Sequence, residues 1–182
     1  MIVDKSSRAA PAPSAGVRLR QPRPEDGRRV YDAVCAWGGL DQNSAYAYLL
    51  ACDRFAMQSA LAERGDELLG FVVGLSFPET QDALFVWQVG VSPAARGQHL
   101  ASRLIDAILE CGSGRYRVVE AHVGPHNQAS MRLFQGLARR HHTDFQVRDD
   151  YPADWFPKGH DAERLVRIGP LGPVPASPTH QE

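Results

Sequence analysis

Apolar residues recur along this chain at two spacings, which predict alternating strands and helices. A period of two, or a short continuous apolar run, is typical of strands, and a period of three to four is typical of amphipathic helices. VRLRQP predicts a first strand, and PEDGRRVYDAVCAWG predicts a first helix with Val30, Val34 and Trp37 at near-helical spacing. DQNSAYAYLLAC predicts a second, shorter helix, for which the candidate caps are Asp41, Asn43 and Ser44.

Three consecutive strands are expected after these helices. RFAMQSALAE and LLGFVVGLSF are separated by a short turn that contains glycine, which predicts an antiparallel hairpin. ALFVWQVGV follows as a third strand, and its near-continuous apolar character indicates burial on both faces. Helices must therefore cover both sides of the sheet.

The remaining segments predict helix, strand, helix and two closing strands. LASRLIDAIL places Leu100, Leu104 and Ile108 on one stripe, and YRVVEAHV is the strand that follows it. NQASMRLFQGLA predicts a helix capped by Asn127, and its inward residues are Met131, Phe134, Leu137 and Ala138. DFQVR and ERLVRI flank the aromatic loop YPADWFPKGH. The pattern predicts an α/β fold of the α+β type, in which helices flank a central mixed, mostly antiparallel sheet.

Composition narrows the class of protein. With 182 residues, 43% of them apolar, the chain suits one domain, which we expect over 17–170 between a disordered tail at 1–16 and a flexible tail at 171–182. A net charge of -1 without a block of Lys or Arg argues against nucleic acid and anionic membranes as partners. No apolar segment approaches the roughly 18–20 residues of a membrane span. Three scattered cysteines favour a reduced, cytoplasmic protein.

A short loop between the third strand of this group and the next helix carries the first functional signal. Its sequence is RGQHLA, from Arg96 to Ala101. The start of a helix offers unpaired backbone N–H groups and a partial positive charge, and a glycine-containing loop with an arginine suits a pyrophosphate. An ordinary turn that happens to contain Arg-Gly is the alternative.

The block from Val86 to Leu109 resembles motif A of the GNAT superfamily of acyl-CoA N-acyltransferases, whose loop pattern is Q/R-x-x-G-x-G/A. The segment HNQASMRLFQGLA, one strand later, resembles the helix on the other side of that family's cofactor cleft. The resemblance implies the GNAT fold, acetyl-CoA as cosubstrate without a metal, and a bulge that exposes Val89, Gly90 and Val91. The cofactor-binding residues that it implies are Val89, Gly90, Val91, Arg96, Gly97, Gln98, His99, Leu100, Ala101, Asn127, Ser130 and Phe134. His99 replaces the pattern's second glycine, and we expect it to adopt a first-turn helical conformation, which costs no strain.

Four further segments resemble the L-2,4-diaminobutyrate acetyltransferase family of ectoine synthesis. They are LDQNSAYAYLLACDRFA, FVWQVGV, HNQASMRLF and FPKGHDAERLVRIGP, and the likeness runs from Val17 to Pro170. It implies acetyl transfer to the 4-amino group of L-2,4-diaminobutyrate, giving the precursor of a compatible solute, in an enzyme that is often a homodimer. Because this substrate carries two ammonium groups, its site needs acidic acceptors. The implied substrate-binding residues are Asp41, Tyr46, Trp87, His160 and Glu163.

Each of these residues also has a purely structural interpretation. Asp41 can be a helix cap, Trp87 a core residue, and Glu163 with Arg164 a surface pair. As catalytic groups we expect His160 or Glu163 to assist removal of a proton from the amine, since an alkyl amine with a pKa near ~10.4 costs roughly 4–5 kcal/mol to deprotonate at neutral pH.

The departing thiolate lacks its usual proton donor. Many members of the superfamily have a tyrosine where this chain has Phe134, so that water or Tyr46 would have to serve as the acid. With a thiol pKa near ~8.5, the missing acid matters by only about 2 kcal/mol. No residue looks like an acyl-accepting nucleophile with a partnered base, which favours direct attack in a ternary complex.

Three other functions stay open from the sequence. Metal catalysis is weakly indicated by His122, His126, His141 and His142, whose spacing lacks cysteine partners. A GNAT enzyme for another small amine would differ in the width and charge of its acceptor pocket. A catalytically silent acetyl-CoA-binding module would bind the cofactor and acetylate no amine.

Overall fold

The computed structural model describes residues 16–172, and its elements follow the order that the hydrophobic pattern predicts. The helices in this range are α1 (Asp26–Trp37), α2 (Ala45–Arg54), α3 (Leu100–Cys111) and α4 (Gln128–Arg140). The strands in it are β1 (Arg18–Arg20), β2 (Ala60–Arg64), β3 (Glu67–Leu75), β4 (Ala83–Val91), β5 (Val118–Val123), β6 (Phe145–Tyr151) and β7 (Glu163–Ile168). No helix among the described residues combines the length and apolarity needed to cross a bilayer.

Both tails expected from composition lie almost entirely outside the described residues. Leu171 belongs to the expected C-terminal tail but lies within the described residues. It is 3% exposed, and its N–H donates to the Arg117 carbonyl at 2.7 Å. The packed core therefore reaches one residue beyond the domain end expected at Pro170.

The strands form one mixed sheet in the order β1-β2-β3-β4-β5-β7-β6. Neighbours are antiparallel except β4 and β5, which run parallel and are joined through α3. The parallel pair is short, since only Ala83, Leu84 and Phe85 of β4 have partners on β5. Beyond Phe85, β4 continues along β3 while β5 continues along β7. A cleft therefore opens in the middle of the sheet, and it is the feature that positions the site.

Helices cover both faces of the sheet, as expected. Residues that alternate along β2 divide between two core clusters: Ala60 and Ala62 pack with α3 and α4 residues, and Leu61 packs with α1 and α2 residues. Burial on both faces of β4 holds only in its first half, because from Trp87 the strand borders the cleft and most of its residues are partly exposed. The expectation for the whole strand was therefore too broad.

Two local predictions around α2 need correction. Of the three candidate caps, Ser44 caps the helix, since its hydroxyl accepts from the Ala47 N–H at 3.2 Å. The segment RFAMQSALAE is not one strand, because Ala56–Gln58 forms a 3₁₀ turn and β2 begins only at Ala60. Met57 in this turn is 60% exposed, so the apolar residues here do not all point into a core.

An ionic cluster anchors the start of α1 to β1 and β2. Glu63 and Asp26 are almost completely buried, and Arg20 bridges them through hydrogen bonds of 2.7–2.8 Å. Arg29 also donates to both carboxylates, and Arg18 donates to Glu63. The Arg20 guanidinium is the main cause that lowers the pKa of Glu63 to about 2. Although burial opposes it, the same hydrogen bonding holds the pKa of Asp26 well below its usual range.

Candidate active site

A small cavity of about 130 Å³ lies where β4 and β5 part. It contains many of the residues that the sequence singled out: Asp41, Trp87, Val89, Asn127, Ser130, Phe134 and Glu163. The other lining residues were not predicted from the sequence to bind substrate or cofactor. They are Gly39, Leu40, Val86, Gln88, Ala121, His122 and Gly124. Its volume is well below the roughly 300–1,000 Å³ of pockets for drug-sized ligands, so it suits a short acceptor.

A β-bulge lies at Trp87, which lines the cavity. In the β3–β4 register Gly74 pairs with Val86 and Val73 pairs with Gln88, which leaves Trp87 as the extra residue. The resemblance implied a bulge that exposes Val89–Val91, and the register shift lies just before these residues, at Trp87. Gly90 is buried, and a Cβ atom there would lie 2.6 Å from the Phe71 ring.

The loop after α1 brings Asp41 to the cavity and is tied to β4. The Gln88 side-chain amide donates to the Asp41 carbonyl oxygen at 2.7 Å, and the Tyr48 hydroxyl lies 2.9 Å from the Gln88 side-chain oxygen. Tyr48 is fully buried beneath this loop. The backbone of Asp41 is therefore held by a bridge of two side chains, neither of which was predicted from the sequence.

Glu163 begins β7 and lines the cavity together with Asp41. Burial raises the pKa of Glu163, and the negative charges of Asp41 and Asp161 act in the same direction. His160 and His122 oppose this rise. The arrangement is a partly buried carboxylate with a second carboxylate nearby, which suits a ligand with positive charge.

Tyr46 and His160 do not line the cavity. Tyr46 is 68% exposed, because it lies on the face of α2 opposite the buried Tyr48. His160 is exposed in the loop before β7, where its ring stacks on Phe156 at 4.1 Å and its Nδ1 lies 2.6 Å from the Asp161 carbonyl oxygen. Its influence on the pKa of Glu163 is the link between His160 and the site.

His122 is the histidine that the structure places in the cavity wall. Its Nε2 lies 2.8 Å from a carboxylate oxygen of Asp150, and its ring lies between those of Phe85 and Tyr151. From the sequence, His122 was a candidate only for a metal ligand, together with His126. The His126 side chain is exposed, and its Nε2 lies 3.9 Å from an Asp161 carboxylate oxygen. Within residues 16–172 no group of three or more His, Cys, Asp or Glu side chains is arranged to hold a metal ion. The sequence signal that could have placed His122 was the period-two alternation of β5. It puts His122 on the face opposite Val119, Ala121 and Val123.

The loop RGQHLA leads into α3 as expected, but His99 differs from the expectation. It adopts the left-handed conformation, with φ 55° and ψ 24°, and so does not take a helical first-turn angle. Histidine is among the residue types that enter this region more often than most, and the exposed side chain meets no obstacle. The position therefore needs the backbone angle for which the family pattern uses glycine.

Backbone donors are gathered at the start of α3. The first backbone hydrogen bond of the helix runs from the Arg103 N–H to the His99 carbonyl at 3.1 Å. The N–H groups of the four preceding residues, 99–102, come before that bond and have no partner in the preceding turn of helix. They and the positive end of the helix dipole suit an anion.

The start of α4 forms the other wall of the cleft. The Asn127 side chain caps the helix by accepting from the Ser130 N–H at 3.0 Å, as predicted. Phe134 follows one turn after Ser130 and is 2% exposed. With phenylalanine here, the wall has no hydroxyl at the position where the family often has one.

Known proteins share this architecture. Residues 22–138 match the model of the acetyltransferase (GNAT) family. An L-2,4-diaminobutyric acid acetyltransferase from Oceanobacillus iheyensis is 41% identical over 158 residues, which cover 84% of this chain and 88% of that protein. The corresponding enzyme of Halomonas elongata is 40% identical over 84% of this chain and 81% of its own.

Solved structures give the same result. Diaminobutyrate acetyltransferase EctA from Paenibacillus lautus, in complex with its substrate L-2,4-diaminobutyric acid and coenzyme A, superposes with a TM-score of 0.80 and 36% identity over 86% of this chain and 96% of that one. Ard1 from Thermoplasma volcanium, 16% identical with a TM-score of 0.71 over 86% of this chain and 99% of that one, shares the fold. The chain therefore belongs to the GNAT acetyltransferases and, within them, to the family of L-2,4-diaminobutyric acid acetyltransferases.

Proposed function

We propose that this protein transfers the acetyl group of acetyl-CoA to the 4-amino group of L-2,4-diaminobutyrate, forming N4-acetyl-L-2,4-diaminobutyrate for ectoine synthesis. The observation that carries the proposal is the pairing of Asp41 and Glu163 in a small cavity at the parted strands, in a chain of this family. The product is then a precursor of a compatible solute.

The cavity matches the charge and size of the proposed acceptor. L-2,4-diaminobutyrate carries two ammonium groups, and Asp41 and Glu163 offer two carboxylates that affect each other electrostatically. Trp87 presents a ring beside them, against which the short aliphatic stem or an ammonium group can pack. A volume of about 130 Å³ leaves little room for a longer amine.

Acetyl-CoA is the cosubstrate, and its pyrophosphate is assigned to the loop from Arg96 to Ala101. Support comes from the backbone donors at the start of α3 and the positive φ of both Gly97 and His99, which shape the loop. The thioester would then lie between β4 and β5, beside Val89–Val91 on one side and Asn127, Ser130 and Phe134 on the other. This places the acetyl carbon next to the acidic cavity.

Transfer proceeds by direct attack of the amine on the thioester. Glu163 can hold the ammonium group through its carboxylate, whose pKa is raised by burial, and the amine loses a proton to a base in the cavity wall before it attacks. The nitrogen then forms the bond to the acetyl carbon as the carbon–sulfur bond breaks. Because neither Phe134 nor the exposed Tyr46 presents a hydroxyl to the cavity, water protonates the departing thiolate.

We propose that the protein is a cytoplasmic homodimer. The edge strand β6 supports this, since Val147 and Tyr151 are apolar side chains about two-fifths exposed on it. Light scattering on the purified protein tests the mass: twice 20.0 kDa is expected, and a monomer at micromolar concentration contradicts the dimer.

A thiol-release assay with acetyl-CoA tests the function. L-2,4-diaminobutyrate is compared with ornithine, lysine and a reaction without amine. Rapid release with diaminobutyrate alone supports the proposal. Faster thiol release with another amine would indicate that this other amine is the acceptor. Acetyl-CoA binding without thiol release for any amine would indicate a silent cofactor-binding module.

A further inference from the structure

His122 is held in the cavity wall by a second β-bulge. In the β6–β7 register Asp149 pairs with Arg164 and Tyr151 pairs with Glu163, which leaves Asp150 as the extra residue. Consecutive residues of a regular strand point to opposite faces. At this bulge both Asp150 and Tyr151 contact His122, the first by a 2.8 Å hydrogen bond and the second with ring centroids 4.4 Å apart. β6 is therefore bent so that two adjacent side chains fix one imidazole.

The hydrogen bond to Asp150 selects the tautomer of His122. An ionised carboxylate only accepts hydrogen bonds, so Nε2 carries the hydrogen and the lone pair of the neutral ring is on Nδ1. The Phe85 ring packs against the imidazole in a T-shaped arrangement, with centroids 5.3 Å apart. The imidazole is thus oriented with a proton-accepting nitrogen available, a pattern known from bases that a carboxylate orients.

Glu163 lies within reach of the same ligand. The β5–β7 register pairs His122 with Leu165, so Glu163, two residues along β7, is its diagonal neighbour on the same face. Such neighbours are roughly 7–8 Å apart, a gap that one bound ammonium group can bridge. Both residues line the cavity.

We propose that His122, oriented by Asp150, is the group that accepts the proton lost by the 4-ammonium group of the acceptor, while Glu163 and Asp41 bind its positive charges. The inference rests on the proposed function. One N–H bond of the ammonium breaks and its proton moves to Nδ1 of His122. The freed lone pair forms the bond to the acetyl carbon, the carbon–sulfur bond breaks, and the second nitrogen proton reaches the thiolate through water. His122 then returns its proton to solvent.

An imidazole suits this role better than a carboxylate does. As a chemical class, an imidazole is a stronger base than a carboxylate, and its neutral form carries a lone pair that can accept a proton. The charged groups around His122 are Asp150 and Arg148 on β6, Glu163 on β7 and Asp41 in the loop after α1. Three of these four groups are anions, so the proposed proton transfer brings a positive charge next to negative ones.

The test compares His122→Gln, Asp150→Asn and a matched control, His141→Gln. His141 also pairs with an aspartate, Asp106, at 3.0 Å and is similarly part-exposed, but it joins α3 to α4 away from the cavity. We expect His122→Gln to lower kcat with diaminobutyrate at least 100-fold with an unchanged KM for acetyl-CoA. Asp150→Asn should lower kcat at least tenfold, and the control should keep it.

Two readouts separate proton transfer from a structural role. The rate of the wild-type protein should rise across the pH range of histidine titration, and His122→Gln should lose this rise. Imidazole added to His122→Ala should restore part of kcat. A folded His122→Gln protein that keeps kcat within threefold overturns the proposal, and so does an Asp150→Asn protein that keeps full activity if the His122 variants fail to fold.

Failure of the proposed function is seen separately. In that case the wild-type protein does not acetylate diaminobutyrate, and the same variants are measured with whichever amine it does acetylate. If it acetylates no amine, a base at His122 is also refuted.

Discussion

Replacing Glu63 with glutamine removes one of the two carboxylates of the ionic cluster. Its oxygens accept from Arg18, Arg20 and Arg29, and its side chain is 4% exposed. The cluster fixes the start of α1, and the other end of that helix leads into the loop that carries Asp41. Glu63→Gln keeps the shape of the side chain and removes the charge.

The size of the effect follows from proton linkage. A carboxyl whose pKa falls from 4.5 to about 2 on folding stabilises the folded state by about 3 kcal/mol at neutral pH. Because the folded pKa is the lower one, this stability is fully present above the unfolded pKa and is lost as pH falls through the folded pKa. For a chain of this size, 3 kcal/mol corresponds to roughly 6–12 °C in Tm.

Urea denaturation at a series of pH values measures the difference. At pH 7 we expect Glu63→Gln to lower the free energy of unfolding by about 3 kcal/mol, and the gap to wild type should narrow below about pH 4.5. Asp32→Asn is the control, since its pair with Arg28 is exposed and should change stability by at most about 0.5 kcal/mol. A Glu63→Gln protein within 0.5 kcal/mol of wild type at pH 7, or a gap that does not depend on pH, would refute the reasoning.

Three further predictions concern the cavity, the loop and the packing of α1. Glu163→Gln should lower kcat/KM for diaminobutyrate at least 100-fold in the thiol-release assay, because the ammonium loses its counter-charge; unchanged kinetics would contradict this. His99→Gly should raise the free energy of urea unfolding by up to about 1 kcal/mol through relief of the left-handed angle, with the acetyl-CoA KM within twofold, and a loss of stability would contradict it. Gly27→Ala should lower that free energy by about 1–3 kcal/mol, because the new Cβ would lie 2.5 Å from the Leu49 Cα. Gly136→Ala should not lower it, because a Cβ there would make only ordinary contacts, at 3.8–3.9 Å, with arginine side-chain ends.

Periodicity predicted the order of strands and helices because it reports which face of each element is buried. It did not predict the bulges at Trp87 and Asp150, because a bulge depends on how two strands pair and each strand alone looks regular. The parting of β4 from β5 has the same origin. These features of pairing shape the cavity.

The exposure of Tyr46 shows how little the pattern of a short helix says about which of its faces is buried. Tyr46, Leu49 and Leu50 are exposed on α2, while Tyr48, Ala51 and Cys52 are buried. Because apolar residues occur on every face of this helix, their spacing does not indicate which tyrosine is buried. The pair of His122 and Asp150 was missed for another reason: the residues are 28 positions apart and meet across β7.

The most direct test of the account is to locate the acetyl group on the product. The purified protein is incubated with acetyl-CoA and L-2,4-diaminobutyrate, and mass spectrometry with NMR assigns the acetylated nitrogen. The account predicts acetylation at N4 alone, with ornithine and lysine acetylated much more slowly. Acetylation at N2, or equal rates for the longer amines, would contradict an acceptor cavity built around Asp41 and Glu163.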